Sequence, residues 1–137
     1  MKRLFRRTVI VALAFAAAGC FPDPKPLIDE FTWQSLDNQD FTEGVSIAAF
    51  FRDISFLGQV KTPTLCFSAT PTLSVSGSTV TVTVNLVSSG SGTCAQQAGG
   101  VLYSGAVRNL SRGTYTVHII SNVQGVGTTE VTETVVL

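Results

Sequence analysis

Three cysteines, one histidine and nine acidic residues are the side chains of this 137-residue chain with the widest chemical range. Cys20, Cys66 and Cys94 could ligate a metal, act as thiolate nucleophiles or cross-link the chain. A structural zinc site needs four sulfur or nitrogen ligands, usually in closely spaced pairs. Here no CxxC occurs and His118 is the single histidine, so metal binding is disfavoured. A serine or cysteine nucleophile would need His118 as its base. That residue sits in Thr114-Tyr115-Thr116-Val117-His118-Ile119, where alternation puts Tyr115, Val117 and Ile119 on one face. His118 falls on the other face with Thr114 and Thr116, an ordinary outward position of a strand. The chain contains no GxSxG elbow, phosphate loop or zinc-hydrolase helix. Six carboxylates between Asp29 and Asp53 could supply a glycosidase pair, and Asp37 to Glu43 could supply calcium ligands. The calcium order fails at its fifth position, Phe41, and its glycine comes too late at Gly44. A solvated surface is the simpler reading of these acids. We expect no enzyme, no metal and no cofactor.

Cys20 has a different setting. Lys2, Arg3, Arg6 and Arg7 precede an apolar run from Val9 to Ala18, and Gly19-Cys20 follows it. Ten apolar or small residues are half of what a bilayer-spanning helix needs, but they match the core of an export signal. Ala17-Ala18-Gly19-Cys20 resembles the lipobox of bacterial lipoproteins. The resemblance implies a signal helix cleaved after residue 19, a Cys20 carrying diacylglycerol on its thiol and a further acyl chain on its new amino group, and a membrane-bound product. Three chains at about 0.8 kcal/mol per buried methylene exceed the two-signal threshold for stable anchoring. Phe21 rather than Asp follows the cysteine, which for such lipoproteins implies the outer membrane of a Gram-negative bacterium. A plain secretory signal cut after Ala18 or Gly19 is the alternative reading of the same residues.

With the signal removed, 118 residues remain, enough for one domain. Four of the nine basic residues lie in the signal, leaving five against nine acidic and a net charge of −4. This balance argues against nucleic acid, which is bound through clustered Lys and Arg. With Cys20 taken by lipid, Cys66 and Cys94 are left as an even pair, which in an oxidising envelope compartment reads as a disulfide.

The elements that must position these residues are strands. Phe21-Pro22-Asp23-Pro24-Lys25-Pro26 favours extended polyproline II, so residues 20–26 read as a tether, at about 3.1 Å per residue. The domain proper is expected over 27–137. Leu27 to Trp33 reads as a first strand or as a strap across the sandwich edge. Val45, Ile47, Ala49 and Phe51 share one parity and Ile54 and Phe56 the other, implying a bulge or turn near Arg52-Asp53. A helix over Val45 to Leu57 is the competing reading. Leu73, Val75, Val80, Val82, Val84 and Leu86 alternate with mostly Ser and Thr around a Gly77-Ser78 turn. Ser88 to Gly92 reads as a flexible loop. Val101 to Val107, Tyr115 to Ile119 and Thr128 to Leu137 complete the set.

Leu110-x-x-Gly113-x-Tyr115-x-Val117 resembles the start of the sixth strand in immunoglobulin-like and fibronectin-type sandwiches. The likeness spans about 75 residues, from Thr62 onward. It implies an all-β, antiparallel sandwich in which Leu110 fills a corner, Gly113 makes the turn and the Tyr115 hydroxyl bonds back to the chain. Such folds carry many unrelated functions. The expectation is a non-catalytic, lipid-anchored structural or interaction module, its partner an envelope protein or a glycan. The alternative is a module binding glycan or small ligands through the Ser88 to Gly100 loop or through Phe31, Trp33, Phe41, Phe50 and Phe51. Most of those aromatics are expected in the core.

Overall fold

The computed structural model of the chain describes residues 22–38, 40–90 and 93–137. The expected signal at 1–19, Cys20 and Phe21 lie outside the described residues, as do Ser91 and Gly92 of the serine–glycine loop. The described residues form eight strands and no helix: β1 Leu27–Leu36, β2 Gly44–Phe50, β3 Asp53–Thr62, β4 Phe67–Ser76, β5 Thr79–Ser88, β6 Gly99–Arg108, β7 Thr114–Val123 and β8 Gly127–Val136.

Strand formation follows the alternation of polar and apolar residues, many of them β-branched. On β5, Val80, Val82, Val84 and Leu86 are fully buried while the intervening threonines are not. Val117 and Ile119 of β7 do the same. Each strand thus has one apolar face, which must be covered by a second layer. Two four-stranded sheets supply it, ordered β1-β6-β3-β2 and β4-β5-β7-β8. β1 lies over β4 and β2 over β8, with the core between. Pro71 is tolerated within β4 because β4 is an edge strand.

The segment from Val45 to Leu57 is a hairpin, not a helix. Val45, Ile47 and Ala49 stand opposite Gly58, Phe56 and Ile54, with Phe51-Arg52 as a two-residue turn. An even-numbered turn moves the inward face from odd to even positions, which is the parity switch seen in the sequence. The Gly77-Ser78 turn is also a two-residue hairpin, with Gly77 at φ 56° in its first central position.

The expectation of an all-antiparallel sandwich needs correction. β5 and β7 are parallel, Val80 standing beside Val117 and Val82 beside Ile119, so the second sheet is mixed. The intervening β6 belongs to the other sheet and returns the chain to the end where β5 began. Period-two alternation reads the same in either direction, so the sequence pattern is blind to this.

The topology also sorts the loops. The start of β1, the β2–β3 turn, the β4–β5 turn and the β6–β7 connection share one end, linked by the Leu27–Arg108, Ile54–Val107 and Thr79–Thr116 pairings. At the opposite end lie the β1–β2, β3–β4 and β5–β6 loops and the β7–β8 turn. No described helix is long and apolar enough to cross a membrane.

Candidate functional site

The opposite end carries the disulfide. Cys66 directly precedes β4 and Cys94 lies in the β5–β6 loop, and the two are bonded, as expected, with a Cα–Cα distance of 5.7 Å. Ser89 donates its backbone N–H to the Cys66 carbonyl at 2.8 Å. The bridge therefore pins the loop to the base of the β4–β5 hairpin.

The tether end is where the chain enters the domain. Pro22 to Pro26 has no regular secondary structure and is exposed. Its later residues do not project freely: Asn109 Nδ2 donates to the Lys25 carbonyl at 3.1 Å. A groove of about 310 Å³ lies between the tether and the sandwich, lined among others by Asp23, Lys25, Val75, Ser111 and Tyr115. A side-chain amide of the β6–β7 connection thus holds the last residues before β1.

That connection contains the residues of the sequence-expected corner. Leu110 is buried, and the Tyr115 hydroxyl donates to the Ser111 carbonyl at 3.0 Å. Gly113 N–H and carbonyl pair with the carbonyl and N–H of Leu137. Arg52, in the β2–β3 turn, donates from Nε to the Leu110 carbonyl at 3.0 Å, tying the turn to the corner. Beside it, Arg108 contacts Asp29 at 3.1 Å, Glu30 at 3.0 Å and Asp53 at 4.0 Å.

The Phe50-Phe51 tip stands out at this end. Phe50 is 67 % and Phe51 80 % exposed, their rings edge to face at 4.5 Å. Phe51 also has φ 54°, a left-handed conformation disfavoured for a bulky side chain by about 1 kcal/mol or more. Gly or Asn is the usual solution at such a place.

The five aromatics singled out in the sequence do not form one cluster. Phe31 packs on Phe56 and Tyr103 in the core. Phe41 is half-buried against Gly100 near the disulfide end. Trp33 is 43 % exposed on edge strand β1, and Phe50 and Phe51 form the tip. Hydropathy alone assigns a pair like Phe50-Phe51 to a core, and only the hairpin register turns it outward. Sequence reasoning also missed the buried contact between the sheets, where the Tyr103 hydroxyl and Ser121 Oγ lie 2.6 Å apart.

The candidate catalytic groups are dispersed. His118 is outward on β7, and its Nδ1 contacts both Glu130 and Thr132. A relay needs the base to meet its nucleophile through one ring nitrogen and its carboxylate through the other, whereas here both fall on the same atom. The His118 contact holds the Glu130 carboxyl below its ordinary range. A depressed carboxylate pKa favours the folded state above that range and loses this contribution as pH falls through it. The six acids split into two groups: Asp29, Glu30 and Asp53 gather on Arg108, while Asp37, Asp40 and Glu43 belong to the β1–β2 loop at the opposite end. Glu43 accepts the Lys61 backbone N–H at 2.6 Å. No group of three or more metal-ligating side chains converges among the described residues.

Comparisons with protein-family models, with curated proteins and with solved structures find no match.

Proposed function

We propose that this chain is a non-catalytic lipoprotein of the cell envelope, anchored in the outer membrane of a Gram-negative bacterium through an acylated Cys20. Its sandwich-like domain serves as a structural or interaction module. The single observation that carries this reading is the Ala17-Ala18-Gly19-Cys20 junction at the end of a ten-residue apolar core. A proline-rich segment and one disulfide-bonded β domain follow it directly. The bridge suits an oxidising compartment. The likeness to immunoglobulin-like domains rests on Leu110 and the Tyr115 hydroxyl bond, and the parallel β5–β7 pair departs from it.

Cys20→Ala tests the anchor. The wild-type chain should incorporate labelled palmitate and partition into detergent, and the variant should do neither. Equal recovery of unlabelled, soluble protein from both would end the proposal.

A second reading draws on Trp33. It is half-exposed on edge strand β1, on the side it shares with Tyr103, and an indole at a sheet edge is an aromatic face of the kind that sugars stack on. Iodide should quench Trp33 emission, and added glycan should shift it and protect it. Emission indifferent to a panel of envelope glycans would leave the structural module alone.

A further inference from the structure

We propose that the Phe50-Phe51 tip is a second membrane contact, seated in the interface of the bilayer that holds the Cys20 anchor. The inference rests on the anchor reading above and adds an orientation to it: the tether end faces the lipid and the disulfide end faces away.

Four observations converge on this. First, the anchor and the tip belong to one end. Cys20 and Lys25, where Asn109 holds the chain, are five residue steps apart, a reach of about 16 Å when extended. Ile28, Val107 and Ile54 form one row across β1, β6 and β3, so the tether and the β2–β3 turn are about 10 Å apart, two strand spacings. An acyl anchor on so short a leash keeps this end close to the membrane.

Second, the aromatics do nothing for the fold that a small polar turn would not do. Both rings are exposed, and Phe51 carries an unfavourable backbone angle. A residue that strains its turn and gains no burial must gain its burial elsewhere.

Third, the tip has company. Leu27 and Val136 are also exposed large apolar residues, and both lie at this end. A bilayer interface accepts a scattered apolar rim of this kind with aromatic rings among it.

Fourth, charge is distributed to suit a lipid surface. Lys25, Arg52, Arg108 and Arg112, four of the five basic residues outside the signal, lie on the tether, the β2–β3 turn and the β6–β7 connection. They balance Asp23, Asp29, Glu30 and Asp53, so the net charge of −4 resides elsewhere on the domain. Anionic headgroups would repel the disulfide end, with Asp37, Asp40 and Glu43 against Lys61, more than this one.

The test uses the full chain, processed in a Gram-negative host and reconstituted in phosphatidylethanolamine–phosphatidylglycerol vesicles containing brominated acyl chains. The chain has one tryptophan, so Phe51→Trp with Trp33→Phe moves the only indole to the tip. That indole should be blue-shifted and strongly quenched by bromolipid. Wild-type Trp33, four residues further along the β6 ladder and about 14 Å from the end row, should not be. In parallel, Phe50→Ser with Phe51→Asn should leave the melting temperature unchanged or raised, since Asn tolerates the positive φ. Acylated protein whose tip indole stays unquenched overturns the proposal and leaves the anchor standing. A blue shift that depends on protein concentration but not on bromolipid also overturns it, in favour of a second copy as occupant. A fall of about 5 °C or more in the double variant would show that the rings serve folding, and would overturn it too. Protein without an acyl group by intact mass removes the anchor reading, and this proposal with it.

Discussion

Gly58→Ala should lower the unfolding free energy by about 3 kcal/mol, although it adds one methyl group to a strand. Gly58 stands directly opposite Tyr103 in the β3–β6 ladder. A Cβ at residue 58 would lie 2.1 Å from Tyr103 Cζ and 2.3 Å from its hydroxyl. The ring cannot swing clear, because Phe31 and Phe56 pack around it at centroid distances of 6.4 and 6.3 Å. Its hydroxyl is also committed, lying 2.6 Å from Ser121 Oγ between the two sheets. Burial pushes the phenol above its ordinary pKa, so it stays neutral and can serve as donor or acceptor. Displacing the ring therefore adds the cost of a buried, unpaired Ser121, about 1–3 kcal/mol, to that of overpacking, typically about 1–3 kcal/mol. Urea unfolding should show a reduced midpoint at constant m-value. Shrinking the partner with Tyr103→Leu should make the double variant less destabilised than the sum of the two singles, because one clash is removed. A loss below about 0.5 kcal/mol for Gly58→Ala would mean that the ring relocates freely, contrary to this packing.

Removing the disulfide should cost about as much by a different route. Cys66 and Cys94 are 28 residues apart, and the chain-entropy model gives about 3–4 kcal/mol for a loop of this size. For a domain of this length that corresponds to a melting temperature lower by roughly 10–20 °C in Cys66→Ala with Cys94→Ala. The fold should survive, because the β4–β5 ladder from Phe67–Ser88 to Ser76–Thr79 does not depend on the bridge. The local consequence should be sharper than the global one. The Ser89 N–H to Cys66 carbonyl bond would remain as the tie at the loop base, while residues 93–98 form no strand. Limited proteolysis should therefore cut the variant first between β5 and β6, at sites resistant in the oxidised wild type. Identical melting of oxidised and reduced protein would contradict this.

The two predictions probe different halves of the stability. The glycine acts through packing between sheets in the folded state, and the bridge acts mainly on the unfolded ensemble. Neither substitution lies at the end where the chain enters β1.

Much of this was legible in the residues. The alternation of Val80, Val82, Val84 and Leu86, or of Tyr115, Val117 and Ile119, specifies strands and their inward faces, because side-chain period is a local property. Pairing of Cys66 with Cys94 followed once Cys20 was set aside. The parity switch near Arg52 was visible, but helix and hairpin compete over Val45 to Leu57 until β3 finds β6 as its partner. The exposed Trp33 and Phe50-Phe51 tip could not be read from hydropathy, since an aromatic ring looks the same whether a second sheet covers it or not. His118 was correctly placed outward, but its sharing of one ring nitrogen between Glu130 and Thr132 depends on the β7–β8 register.

The sequence by itself therefore determined the strands, their faces, the candidate anchor and the residues free to cross-link. Tertiary structure alone decided that β5 and β7 run parallel, that Gly58 makes room for Tyr103, and that the tether, Arg108 and the Phe50-Phe51 tip meet at one end. The physical reason is range. Alternation and turn chemistry are set by neighbours a few residues apart, whereas the strand across a ladder and the end a loop occupies are set by contacts between distant segments.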